Sequence, residues 1–136
     1  MKLTSSFLFI CISLLFISCK KEAGESGKAS IIGILYLKDY NGNFNSLELE
    51  RVAYDEDVYI HYGDETSYSD KIKSSFDGRF EFKYLRPGKY KIYSYSKDPT
   101  DKDNVQPEEM MVVLREVEIT SKKEVIELDT MFIYDN

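Results

Sequence analysis

A chain of 136 residues, 43% hydrophobic and 31% charged, has the composition of one ordinary globular domain and not of a disordered polymer. Its formal charge of −6 offers no attraction to phosphate backbones, which excludes a general DNA- or RNA-binding protein. Eleven Tyr and eight Phe with no Trp favour strands, and Tyr suits surfaces with one dry side and one wet edge.

The chain opens with Lys2 and an uninterrupted apolar run, "FLFICISLLFI", from Phe7 to Ile17. That is the length of a signal-peptide core and well short of the ~20 residues that span a bilayer. It lacks the polar face or cap that a helix in a globular core would carry. Ile17, Ser18 and Cys19 complete "LLFISC", which resembles the lipobox of bacterial lipoproteins, with Phe16 where leucine is usual. The resemblance implies cleavage between Ser18 and Cys19, then acylation of the Cys19 sulfur and of the new amino terminus. One acyl chain binds a bilayer marginally, at ~0.8 kcal/mol per buried methylene, whereas two or three hold a protein there. Cys11, the only other cysteine, lies in the segment to be removed. The mature domain is therefore expected to hold no disulfide and no cysteine metal site. Lys20 follows the cysteine instead of aspartate, so the resemblance to Gram-negative lipoproteins implies sorting to the outer membrane, with either leaflet open. "KKEAGESGKA", Lys20 to Ala29, has glycine, serine and charge without apolar period and reads as a flexible tether. The expected organisation is a signal peptide over 1–18, a lipidated tether over 19–29 and one folded domain over 30–136.

From residue 30 on, apolar residues recur with period two. In "IIGILYL" one parity carries Ile31, Gly33, Leu35 and Leu37. Asn41-Gly42 ends that strand, and the following "NGNFNSLELERVAYDED" leaves the pairing of Leu47 and Leu49 open. "DVYIHY" sets Val58, Ile60 and Tyr62 against Tyr59 and His61. Asp77-Gly78 is read as a two-residue hairpin between "YSDKIKSSF" and "RFEFKYL". In the latter Phe80, Phe82 and Tyr84 face one way and Arg79, Glu81 and Lys83 the other. Pro87-Gly88 suits a type II turn. "KYKIYSYS" follows, with Tyr90 and Ile92 inward and Lys91, Tyr93 and Tyr95 outward. "KDPTDKDNVQPEE", from Lys97 to Glu109, is a polar connection whose prolines bar a central strand. "LREVEI" and "VIELD" close the pattern. Alternation without helical period predicts an all-β, antiparallel sandwich of two sheets with about seven strands.

The stretch Asp57 to Ser96 resembles the prealbumin-like domains, also called carboxypeptidase-regulatory-like or Cna-B-like. The likeness rests on Asp77, Gly78, Phe80, Phe82, Leu85, Pro87, Gly88, Tyr90 and Ile92, with Gly33 as the inward glycine of the opening strand. It implies a prealbumin-like sandwich and says little of function, because one fold hosts many sites. By the same likeness Lys38 and Asn136 would stand for the isopeptide pair of some pilin domains. Asn136, as the last residue, is expected to fray.

No residue pattern carries catalysis. His61, the single histidine, has only Tyr59 and Gly63 as neighbours on its face and reads as a solvated strand residue. There is no phosphate loop and no nucleophile elbow. Asp98, Asp101 and Asp103 crowd one loop without the glycine turn of a calcium site, so no metal or other cofactor is expected. Tyr59, Tyr93 and Tyr95 share the outward parity, and with His61 and Lys91 at its margins they form the candidate binding surface. Such a strip stacks on sugars or anchors a protein. The expectation is a non-catalytic, lipid-anchored envelope module of the outer membrane, held there through Cys19, that presents a face to a protein partner. The alternative is a carbohydrate-binding lipoprotein accessory to polysaccharide handling.

Overall fold

The computed structural model describes residues 22–100 and 110–136. The signal segment, Ser18, Cys19, and Asp101 and Asp103 of the acidic loop lie outside the described residues. The described residues are all-β and form two sheets packed as a sandwich. In chain order the strands are β1 (Ala29–Tyr40), β2 (Leu47–Val52), β3 (Asp57–Tyr62), β4 (Asp70–Lys73), β5 (Arg79–Leu85), β6 (Gly88–Lys97), β7 (Met110–Ile119), β8 (Val125–Glu127) and β9 (Met131–Asp135). The five-stranded sheet gathers β2, β5, β8 and β9 around β1, and the four-stranded sheet runs β4-β3-β6-β7.

The inward parity read from the sequence is the core. Ile31, Leu35 and Leu37 of β1 meet Val58, Ile60, Phe80, Phe82, Tyr90 and Ile92, all buried. Gly33 belongs to this row because Phe80 fills the space above it: a Cβ there would stand 2.4 Å from the Phe80 ring tip. Phe80 is itself buried, so it has nowhere to retreat. Gly33→Val is accordingly expected to cost about 1–3 kcal/mol through overpacking, read as a lower urea midpoint with an unchanged m-value.

β1 is long enough to serve two partners on each edge. Its first half pairs antiparallel with β5 and its second half with β2. The change of partner happens at Leu35, whose N–H donates to the Gly78 carbonyl at 2.8 Å and whose carbonyl accepts from the Ala53 N–H at 2.9 Å. Gly78 has φ of 75°, and a Cβ there would lie 2.6 Å from the Leu35 carbonyl, so only glycine fits. The stretch 41–53 left open by the sequence is thus a hairpin to β2. Asn41 closes it by accepting at Oδ1 from the amides of Asn45 and Ser46, at 3.0 and 3.2 Å.

Three expectations need correction. Asp77-Gly78 does not join two paired strands: β4 and β5 lie in different sheets, and Ser75 to Gly78 carry the chain across. Pro87-Gly88 joins β5 to β6 as expected, and there too the chain changes sheet. The sandwich is not purely antiparallel either, because β8 and β9 run parallel to β1 on its other edge. Tyr84, expected inward, is 70% exposed and Leu85 is buried. The pairing slips between Ala29 and Ile31, Tyr84 takes φ of 59°, and this bulge reverses the parity after Phe82.

The expected flexible tether also differs in its second part. Gly24 is buried, and the segment from Ala23 to Gly27 is hydrogen-bonded to the β5–β6 connection.

Candidate binding face

Register across the four-stranded sheet builds the outward face row by row. Tyr59 of β3 pairs with Lys71 on one side and Tyr93 on the other, and Tyr93 in turn pairs with Leu114 of β7. The next row joins His61, Lys91 and Glu116, and a third sets Tyr95 beside Val112. Alternation puts all of these on the face opposite Ile60 and Ile92, away from the sandwich core. Two adjacent strands, β3 and β6, therefore bring the five sequence candidates, Tyr59, His61, Lys91, Tyr93 and Tyr95, onto one surface.

The rings pack into a cluster. Tyr59 and Tyr93 stack with centroids 5.0 Å apart and planes 13° from parallel. Tyr95 meets both edge-on, at 5.4 and 5.7 Å. Tyr68, from the loop before β4, closes the other side of Tyr59 edge-on at 5.3 Å. Offset stacks and T-shaped contacts suit the ring quadrupoles, so the cluster is a stiff platform. The stack covers Tyr93, which is buried, whereas Tyr95 stays 47% exposed. Burial pushes the Tyr59 and Tyr93 phenols up from their ordinary value, and neighbouring Asp57 and Tyr95 add to the respective shifts.

His61 is held at both nitrogens. Nδ1 lies 3.1 Å from the Glu65 carbonyl and Nε2 lies 3.3 Å from the Tyr93 hydroxyl. A neutral ring protonated at Nδ1 satisfies both contacts, donating to the carbonyl and accepting from the phenol. The arrangement braces the platform.

A charged margin borders it. Lys71 donates to Asp57 at 2.9 Å, the Tyr59 hydroxyl donates to the same oxygen at 3.3 Å, and Lys73 stands 3.6 Å from the other oxygen. The Lys71 hydrogen bond holds the Asp57 carboxyl below the usual carboxylate range, against a smaller opposing effect of burial. A depressed folded value means stability fully present above the unfolded carboxyl's titration and lost as pH falls through the folded value. Lys71→Met is therefore expected to lower stability at neutral pH and to flatten its loss in acid, visible as a smaller difference between urea midpoints taken at neutral and at acid pH. Solvent around the pair keeps the effect small.

On the opposite margin, Tyr93, Tyr95, His61, Lys91, Val112 and Leu114 enclose a shallow groove of about 290 Å³. Met110, Val112 and Leu114 are exposed aliphatic residues in line with the tyrosines. Sequence reasoning missed these three and Tyr68. The parity of "MMVVL" carries a signal for Met110, Val112 and Leu114; Tyr68, in an irregular loop, has none. Two larger hollows, of about 660 and 690 Å³, flank β4 and β5 over Ile72, Phe80 and Phe82. They open on the edge of the core, and charged side chains including Glu81 and Lys83 line both.

Among the described residues no group of three or more His, Cys, Asp or Glu is placed to hold a metal ion. Asp98 is used locally, accepting from the Thr100 amide and hydroxyl at 2.8 and 2.7 Å. Lys38 pairs with Glu50 at 3.8 Å and lies over the Phe132 ring, while the Asn136 side chain accepts from Lys97 at 2.6 Å. Each of the two is engaged elsewhere.

No protein-family model matches the chain, and comparison with curated protein sequences finds no match. Among solved structures, the fold is similar to that of a Pseudomonas aeruginosa protein put forward as carbohydrate-binding. The TM-score is 0.50 at 14% identity, over 81% of this chain and 91% of that one. At this identity the likeness is one of fold. An (S)-allantoin synthase gives a TM-score of 0.42 at 12% identity over 81% of this chain, which spans 42% of that enzyme.

Proposed function

We propose that this chain is a non-catalytic, lipid-anchored outer-membrane lipoprotein whose prealbumin-like sandwich docks an envelope protein on the outward face of β3, β6 and β7. One observation carries the reading: rigid tyrosines and exposed aliphatic side chains form a continuous surface, with charge confined to its margins. Aromatic anchors framed by polar groups are what protein interfaces use as hot spots. Aliphatic residues such as Met110, Val112 and Leu114 contribute little to sugar binding and much to a protein interface. The anchor rests on "LLFISC" and Cys19.

A photo-crosslinking residue at Val112 in intact cells is expected to trap one envelope protein, and the absence of any adduct would count against the reading. Cys19→Ser is expected to abolish palmitate incorporation and release the protein from membranes. Persistence of both would refute the anchor.

A second reading has its own support. Stacked tyrosines beside His61 and Lys91 provide ring faces and hydrogen-bonding groups for a glycan, and a protein of similar fold has been put forward as carbohydrate-binding. Under it, tyrosine fluorescence responds to added envelope polysaccharide and the response disappears in Tyr93→Ala and Tyr95→Ala. An unchanged signal eliminates the glycan.

A further inference from the structure

The contact between the N-terminal segment and the sandwich has a built character. The Gly24 N–H donates to the Tyr90 hydroxyl at 3.0 Å, and that hydroxyl donates to the Arg86 carbonyl at 2.6 Å. The Arg86 N–H returns a bond to the Gly24 carbonyl at 2.8 Å, and the Gly27 N–H donates to the Tyr84 carbonyl at 2.7 Å. The chains approach so closely that a Cβ on Gly27 would stand 1.8 Å from the Leu85 carbonyl oxygen. One on Gly88 would stand 2.7 Å from Ala23. Two strands of contact, both requiring glycine, tie residues 23–27 to the β5–β6 connection.

This clamp changes the reach of the anchor. From Cys19 to Ala23 is four residue steps, at most about 14 Å of chain. Were the whole stretch to Ala29 free, ten steps would span about 35 Å. β1, with 12 residues, runs about 36 Å from this end to the hairpin at residues 41–46. A free tether would therefore let any side of the domain meet the membrane, and the clamped one does not.

The same end presents side chains suited to a headgroup layer. Tyr84 stands exposed on its bulge. Lys89 is exposed at the start of β6, just past the β5–β6 connection, and the turn with Lys122 and Lys123 is fixed at the same end by the Gly88–Ile119 pairing and the Ser30 N–H bond to the Glu124 carbonyl. Of the acids there, Glu25 accepts from the Tyr62 hydroxyl, Glu124 accepts from Thr120 and Ser121, and Glu118 faces Lys89 across the strands, while Glu22 is exposed and Asp64 shares a hollow with Lys89. Tyr and Lys are the residues that membrane–water interfaces select.

We propose that the clamp and the lipid on Cys19 together seat the Tyr84–Gly88 end of the sandwich on the phospholipid headgroup surface. The domain stands end-on, and its tyrosine face looks sideways along the membrane toward neighbours on the same bilayer. This rests on the acylation of Cys19 put forward above.

The test uses the full chain, expressed with its lipid and reconstituted into phosphatidylethanolamine–phosphatidylglycerol vesicles carrying a headgroup nitroxide. Lys122→Cys at the near end and Asn43→Cys at the far end each supply a single thiol for a fluorescent label, since Cys19 is consumed. Quenching is expected to be severalfold stronger at residue 122 than at 43. A flexible Gly-Ser segment of about ten residues inserted before Glu22 leaves the clamp intact and is expected to erase the difference. Equal quenching at both sites in lipidated, vesicle-bound protein overturns the seating while leaving the anchor. Loss of palmitate incorporation in the parent protein overturns the anchor and the seating with it.

Discussion

Tyr90→Ala is expected to cost about 3–5 kcal/mol, a large part of the ~5–15 kcal/mol that holds a domain of this size together. The ring is 1% exposed and packs between the sheets, so its removal leaves a cavity the core cannot close. Tyr90→Phe keeps the ring and removes only the hydroxyl. It is expected to cost about 1–3 kcal/mol, because the buried Gly24 N–H and the Arg86 carbonyl lose their shared partner. Urea midpoints measure both, and hydrogen exchange at the Gly24 amide should accelerate in the Phe variant alone among otherwise native amides. An unchanged midpoint and unchanged exchange in Tyr90→Phe would mean the Tyr90 hydroxyl contributes nothing to the clamp.

The same residue should appear in the alkaline limb. Burial pushes the Tyr90 phenol up from its ordinary value near 10, and the hydrogen bond it accepts from the Gly24 N–H pulls it partly back. A raised folded value favours the neutral phenol in the native state. Its contribution is fully present below the unfolded tyrosine's titration and is lost as pH rises through the folded value. Tyr90→Phe should flatten that part of the stability profile.

The second large effect concerns binding. Tyr95→Ala combined with Leu114→Ala is expected to weaken partner capture at Val112 by about 30-fold or more, the consequence of losing a hot spot worth ~2 kcal/mol. Both side chains are over two-fifths exposed, at 47% and 42%, so the fold should lose far less than the interface does. The edge-on contacts of Tyr95 with Tyr59 and Tyr93 set that loss at about 1 kcal/mol. Tyr93→Ala is the poorer probe, because Tyr93 is 8% exposed and its removal also collapses the stack on Tyr59. Undiminished crosslinking in the double variant, with its thermal melt near that of the parent, would move the interface elsewhere.

How much of this was legible beforehand follows from what is local. Side chains alternate across a strand by backbone geometry alone, so Ile31, Leu35, Val58, Ile60, Phe80, Phe82, Tyr90 and Ile92 announce the core without knowledge of any partner strand. For the same reason the outward parity of Tyr59, His61, Lys91, Tyr93 and Tyr95 is written in the chain, and two sheets follow from period-two runs that need a second layer. Strand pairing is a different matter. Asp77-Gly78 and Pro87-Gly88 have good turn chemistry, yet a turn sequence does not state whether the next strand joins the same sheet or the opposite one. The parallel course of β8 and β9 beside β1, the bulge that turns Tyr84 outward and the arrival of Tyr68 on Tyr59 depend on contacts between distant parts of the chain. The clamp is the sharpest example. "KKEAGESGKA" has the composition of a linker, and its glycines look like freedom. In the folded protein Gly27 is the residue that lets two backbones touch, because the Leu85 carbonyl leaves no space for a side chain.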